Sequence, residues 1–359
     1  MKLRLLILLA TVTTIGVIAL NLSGCKKKSS TEPTETIKVK AWVVGVQDST
    51  TYGMILHTED GGETWVRQGQ GSPVLQGIDV NNLYVLDSAN VWAVCSHNTL
   101  IRTTDGGLTW TKVLTPSNSL YPDLSSISFV GTNTIWISGD NGTVYNSNNA
   151  GNSWTVFDSS FFCKGLMQGI YAITPNTVYV VGQYNLLTEN TRGFIAVTQN
   201  AGSTWDTISL PNNYNQWWWI GVKATSTNNI IIYGKWGHYS MSNNNGLTWA
   251  NDSVVESGML GSGDINCLVM VTPTIFWAAC DDLIEETTND GSNWKIQSAQ
   301  PSFSPYMLGI DAINNQTALT VYHAQNSNFG RIYKTIDGGN TWSLKLQIDC
   351  ELNKVSYVH

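Results

Sequence analysis

Apolar residues in this chain come in short, repeated runs. Val91–Cys95 (VWAVC), Val178–Gly182 (VYVVG), Ile230–Gly234 (IIIYG) and Ile275–Cys280 (IFWAAC) are almost unbroken stretches of β-branched and aromatic residues. Runs of this composition, bounded by Gly, Asn, Asp and Ser, predict β-strands. Leu124–Val130 (LSSISFV) alternates apolar with small polar residues, which predicts a strand with one face buried. Thr134–Gly139 and Gly142–Ser147 follow it as further strands. From residue 37 onward no segment sustains a helical period.

The strands are punctuated by a motif present seven times: Ser or Thr, any residue, Asp or Asn, any residue, Gly, any residue, then Thr, Ser or Asn, and Trp. The copies span 58–65, 103–110, 147–154, 198–205, 242–249, 287–294 and 335–342. Their acidic or amide positions are Asp60, Asp105, Asn149, Asn200, Asn244, Asn289 and Asp337. Their tryptophans are Trp65, Trp110, Trp154, Trp205, Trp249, Trp294 and Trp342, spaced 45, 44, 51, 44, 45 and 48 residues apart. A period of this length marks a propeller or a solenoid. Asp or Asn is expected to bond backbone N–H groups two residues on, the leading hydroxyl to add a second bond, and Gly to take positive φ. The Trp then starts the next strand and buries its ring against the sheet. Each box is therefore a turn with an anchor, a folding element and not a catalytic one.

The two ends of the pattern complement each other. Leu352–Val358 (LNKVSYV) has the pattern of Leu124–Val130, while Lys40–Gly45 (KAWVVG) matches a second strand with no first strand before it. The late strand is thus expected to complete the first blade and remove an open sheet edge. The expected fold is all-β: a single seven-bladed propeller of four-stranded blades over residues 37–359.

The boxes resemble the Asp-box (BNR) repeat of sialidases, sortilin-type receptors, some glucanases and the photosystem II stability/assembly factor family. The resemblance implies that the boxes lie between third and fourth strands on the bottom face. It also implies that ligands bind the opposite, top face near the central channel. Sialidases carry an arginine triad, a Tyr–Glu nucleophile pair, an Asp acid/base and an Arg-Ile-Pro motif. That motif is absent, and Arg67, Arg102, Arg192 and Arg331 are the only arginines after residue 24. The glucanase relatives set two carboxylates between two propellers, and no convincing top-face pair is found in this chain. The remaining resemblance, to the assembly factors, implies a non-enzymatic scaffold that binds proteins, without transferring a photosynthetic client.

Residues 1–24 read as a lipoprotein signal peptide: a basic start, an apolar run from Leu5 to Leu20, and Leu22-Ser23-Gly24 before Cys25. By resemblance to the bacterial lipobox, Cys25 would carry the lipid, giving a membrane partner. Residues 25–36 would form the lipidated Cys and a flexible tether. Lys26 after that Cys, by analogy, favours the outer membrane of a bacterial cell envelope. The net charge of −7 and the scarcity of Arg argue against nucleic acid.

Candidate ligand-binding residues are those with no place in the repeat. Three loops between second and third strands are long: Gln47–Tyr52, Gln183–Arg192 and His323–Phe329. Trp219 matches Leu124 as core, leaving Trp217 and Trp218 without a core slot. Trp236 and His238 occupy the neighbouring top loop, with Tyr184 and Arg192 on the blade-four loop. Exposed aromatics suit a protein or peptide partner, with a glycan as the alternative and a divergent sialidase-like glycosidase as the third reading. Asp281, Asp282, Glu285 and Glu286 form an acidic patch read as solvated charge, with a calcium ion as the alternative reading. No cofactor and no metal are expected, and the chain is expected to be a monomer. Cys95 and Cys280 stand where other blades have Gly45, Gly139, Gly182 and Gly234, so they read as small buried residues. Cys267 and Cys280, on adjacent strands, are candidates to meet.

Overall fold

The computed structural model describes residues 39–359 except 118–119, 163, 185–191, 211–217, 225–228, 254–262, 282, 298–304 and 325–328. Cys25 and the proposed signal peptide and tether therefore lie outside the described residues, as do Trp217, Asp282 and Cys163.

The strands form seven four-stranded antiparallel sheets. Blade 1 is built from Leu352–Tyr357, Ala41–Gln47, Gly53–Thr58 and Val66–Arg67. Blades 2 to 7 open with Val80–Val85, Leu124–Val130, Leu166–Ala172, Trp219–Ala224, Ile265–Met270 and Pro305–Ala312. Each of these first strands packs against the first strands of the blades on either side, which closes a ring. The late strand completes blade 1 as expected, pairing Val355 with Val43 and Tyr357 with Ala41. The fold is a seven-bladed propeller.

The two strand patterns have one physical cause. Second strands such as Val91–Cys95, Ile230–Gly234 and Phe276–Cys280 are buried along their whole length, because a neighbouring blade covers each face. First strands alternate because one side faces the axis, where their polar residues line a central cavity of about 760 Å³. The core is accordingly divided into seven clusters, each filling the seam between two adjacent blades. Trp219 is fully buried, as its register requires, and so are Cys95 and Cys280.

The boxes differ from expectation in two respects. The carboxylate or amide reaches four residues on, not two: Asp60 accepts from the Thr64 N–H at 2.9 Å and from its hydroxyl at 2.6 Å. The Thr58 hydroxyl donates to Asp60 at 2.7 Å and accepts the Gly62 N–H at 3.0 Å. Two consecutive residues at positive φ curl the chain back far enough for this, for example Gly61 and Gly62, or Ala150 and Gly151. In three of the Asn boxes the amide donates where Asp would accept, as from Asn244 to the Thr248 hydroxyl at 2.7 Å. In blade 2, hydrogen bonds from Thr109 and Thr103 hold Asp105 down at about 2, so this box keeps its charge.

The second difference concerns the tryptophans. Each stands just before the short fourth strand, and its ring packs into the seam with the preceding blade. Trp205 meets Trp136 of blade 3 edge-on with ring centroids 6.0 Å apart. Trp342 meets Trp277 of blade 6 at 6.2 Å, and Trp249 meets Tyr179 of blade 4 at 6.4 Å. Trp65 joins the blade 7–blade 1 cluster with Leu319 and Val321. The box is a bolt between blades as well as a turn within one.

Two other expectations are corrected. Cys267 and Cys280 do not meet: Cys267 lies opposite Ala279, so the next residue, Cys280, points to the other face of the sheet. Cys267 joins the blade 6–7 seam and Cys280 the blade 5–6 seam. Glu285 and Glu286 are not solvated. Both are buried, at 0% and 8% exposure, on opposite faces of the strand Ile284–Thr287. Among the described residues no group of acidic, His and Cys side chains is arranged to hold a metal ion.

Candidate functional site

The segments joining blades, and those joining second to third strands, emerge on one face because the four strands of a blade run antiparallel. On that face Trp218 precedes the first strand of blade 5, Lys235–Gly237 form a 3-10 turn after its second strand, and Asp264 precedes the first strand of blade 6. The indoles of Trp218 and Trp236 approach to 6.3 Å between centroids at a tilt of 53°. The Lys235 ammonium stands 5.8 Å from the centre of the Trp218 ring. A cation at this distance is attracted by the negative face of the ring.

One carboxylate organises the group. Asp264 pairs with the Lys235 ammonium and accepts the Trp236 N–H at 3.0 Å. It is itself placed by Asp281, which accepts the Asp264 N–H at 3.0 Å and the Asn266 amide at 2.8 Å. Trp236 sits at φ 55, ψ 34, a left-handed conformation that costs a bulky residue free energy, and its side chain is 49% exposed. A strained backbone that presents a large apolar ring to solvent is a feature packing alone does not explain.

The other candidates fall elsewhere. His238 opens the third strand of blade 5 and is only 6% exposed. Burial lowers its pKa to about 4, so the ring is neutral at pH 7. Its position matches Thr99 and Thr143 of blades 2 and 3, which are buried too. Tyr184 packs edge-on against Phe194, 5.5 Å between centroids, in the blade 3–4 seam. Arg192 is exposed, and its carbonyl accepts the Tyr184 N–H at 3.0 Å. Of the long loops, Gln47–Tyr52 folds onto its own blade: Asp48 pairs with Arg67 and accepts from Thr50. The structure thus brings Trp218 and Trp236 together and adds Lys235, Asp264 and Asp281, which sequence reading did not assign to the site. The signal for them was faint: a Gly-Lys-Trp-Gly segment in the turn after a buried strand.

Residues 74–213 match the sequence model of the photosystem II assembly factor YCF48. The matched span begins before blade 2 and ends before blade 5. No curated protein matches the chain. Among solved structures, YCF48 bound to D1 peptide aligns over 74% of this chain and 82% of its own, with 18% identity and a TM-score of 0.55. YCF48 from Cyanidioschyzon merolae aligns over 85% and 97%, with 15% identity and a TM-score of 0.56. The Cps50 (Swd1) propeller domain of Myceliophteria thermophila aligns over 77% and 88%, with a TM-score of 0.55 at 8% identity. Scores of 0.55 to 0.56 at identities from 8% to 18% mean that these likenesses establish the shared propeller and nothing finer.

Proposed function

We propose that this chain is a non-enzymatic scaffold, lipid-anchored through Cys25 in the bacterial cell envelope, that binds a protein or peptide on its top face. The observation that carries the reading is Trp236, an exposed indole held at positive φ by Asp264 beside Trp218 and Lys235. Trp is among the residues that most often anchor protein interfaces once a partner covers them. The family-model match over residues 74–213, and a propeller of this kind solved with a bound peptide, support the class of partner. The outer membrane is the proposed location, from the residue after Cys25.

The test is crosslinking of the anchored protein in its native membranes, beside a Trp218→Ala/Trp236→Ala variant. A stoichiometric protein partner lost in the folded variant is expected. Equal capture by both forms would remove the site. Saturable binding of a defined glycan with no protein partner would replace the reading with a carbohydrate-binding one. Glycoside turnover that depends on a top-face carboxylate would replace it with an enzymatic one.

A further inference from the structure

The wall of the central cavity holds a contact between two groups that chemistry can join. Lys354, on the strand that closes blade 1, places its ammonium nitrogen 2.7 Å from the sulfur of Cys267, on the first strand of blade 6. The two strands are not neighbours, since the first strand of blade 7 runs between them. Gly309 on that intervening strand makes the reach possible: a Cβ there would lie 3.0 Å from the Lys354 Cα. Cys267 is 1% exposed, and its thiol also faces the Ile310 carbonyl at 3.5 Å. Lys354 is half-buried and lines the cavity, so it stands between the sulfur and the channel. Burial opposes the charge on Lys354, but Cys267 and then Asp311 outweigh it and raise its pKa.

We propose that Cys267 and Lys354 form an oxidation-dependent crosslink in which one oxygen atom bridges the sulfur and the nitrogen, with hydrogen peroxide as the oxidant. The hydrogen bond from the Lys354 ammonium to the sulfur is too long for a direct sulfur–nitrogen bond, whereas S–O and O–N bonds meeting at one oxygen span that 2.7 Å. Two molecules of hydrogen peroxide supply the change. The S–H bond and one N–H bond break, and S–O and O–N bonds form. Sulfur and nitrogen each give up two electrons, and the two peroxides end as the bridging oxygen and three waters. Two molecules of a dithiol reductant reverse the step, each closing to a disulfide, and return thiol, amine and one water. The crosslink fastens the closing strand to blade 6 across blade 7, so the ring is locked under oxidising conditions and unlocked under reducing ones.

The experiment treats the full purified chain with hydrogen peroxide and maps its peptides by mass spectrometry. The expected product is a single species joining the Cys267 peptide to the Lys354 peptide. Its mass is their sum plus one oxygen and minus two hydrogens. It should disappear on treatment with dithiothreitol and be lost entirely in Cys267→Ser and in Lys354→Arg. Oxygen carried by Cys267 alone, with Lys354 unmodified, overturns the proposal. So does an unoxidised Cys267 under peroxide that oxidises exposed methionines. The parent protein decides the outcome even where a variant fails to fold.

Discussion

Trp236 shows how a single residue can be set against its own backbone. A left-handed conformation costs a non-glycine residue about 1–2 kcal/mol, and the Asp264 clamp holds it there. Trp236→Gly should therefore unfold at a higher urea concentration than the parent, by about 1 kcal/mol, while losing partner capture. An unchanged or lowered midpoint would show that the turn is unstrained. Glu286 carries a different conflict. Burial, opposed by Lys295 and by the Gln297 amide, raises its pKa from 4.5 to about 7. Between those values the folded state binds more protons than the unfolded chain, so stability falls as pH rises from about 4.5 to about 7. Glu286→Gln should melt above the parent at pH 8, by at most about 3 kcal/mol, with the gain vanishing below pH 4.5. Neither feature was legible in the sequence. Adjacent glutamates on a strand look like surface charge until both faces are known to be covered, and positive φ at a tryptophan has no compositional marker.

At the scale of the element, the box was the most legible part of the chain. Its hydroxyl, acidic or amide, glycine and tryptophan positions each answer to turn chemistry, and the turn is where they place it. What the spacing concealed is that the same glycine faces the neighbouring blade. A Cβ on Gly202 would lie 2.3 Å from the Phe157 ring of blade 3, and φ there is +85°. Gly202→Ala should thus cost about 1–3 kcal/mol through both strain and overpacking. The preceding position also takes positive φ but holds alanine in blades 3 and 4, at Ala150 and Ala201. Ala150→Gly should gain about 0.5 kcal/mol by relieving strain, a shift visible in chemical denaturation. If both substitutions destabilise equally, the backbone account of the box fails. The seam role of the tryptophans stayed hidden for a related reason: periodicity gives a residue its strand, but not the sheet its ring will touch.

The whole molecule is held by closure. Its count of blades was readable from seven boxes and two complementary ends, because a ring with an unpaired first strand would leave an apolar edge in water. The closing seam is reinforced at the rim, where Glu63 of blade 1 pairs with Lys334 and Lys345 of blade 7 at 2.7 and 2.6 Å. These are partly exposed pairs and should each contribute less than about 1 kcal/mol. The closing strand should matter far more. Deleting residues 352–359 removes Leu352, Val355 and Tyr357, all fully buried, and exposes the edge of Ala41–Gln47. Light scattering should then show soluble oligomers or aggregates that the full chain, measured beside it, does not form. A monodisperse truncated protein would mean that the ring does not depend on its clasp. The Cys267–Lys354 contact lay beyond sequence reading for the same geometric reason, since its partners meet only once all seven blades have been curved into a circle.

That clasp also imposes an order in time. Ala41 pairs with Tyr357, so a strand made early in the synthesis of the ring waits for the strand that ends the ring. Until then its backbone groups have no partner on that side, and the chain cannot complete its first sheet however quickly the middle blades fold. Contacts this distant along a chain are slow to form. The newborn protein therefore passes through a long interval as an open arc, during which a chaperone that shields the edge of Ala41–Gln47 would decide the yield of closed molecules.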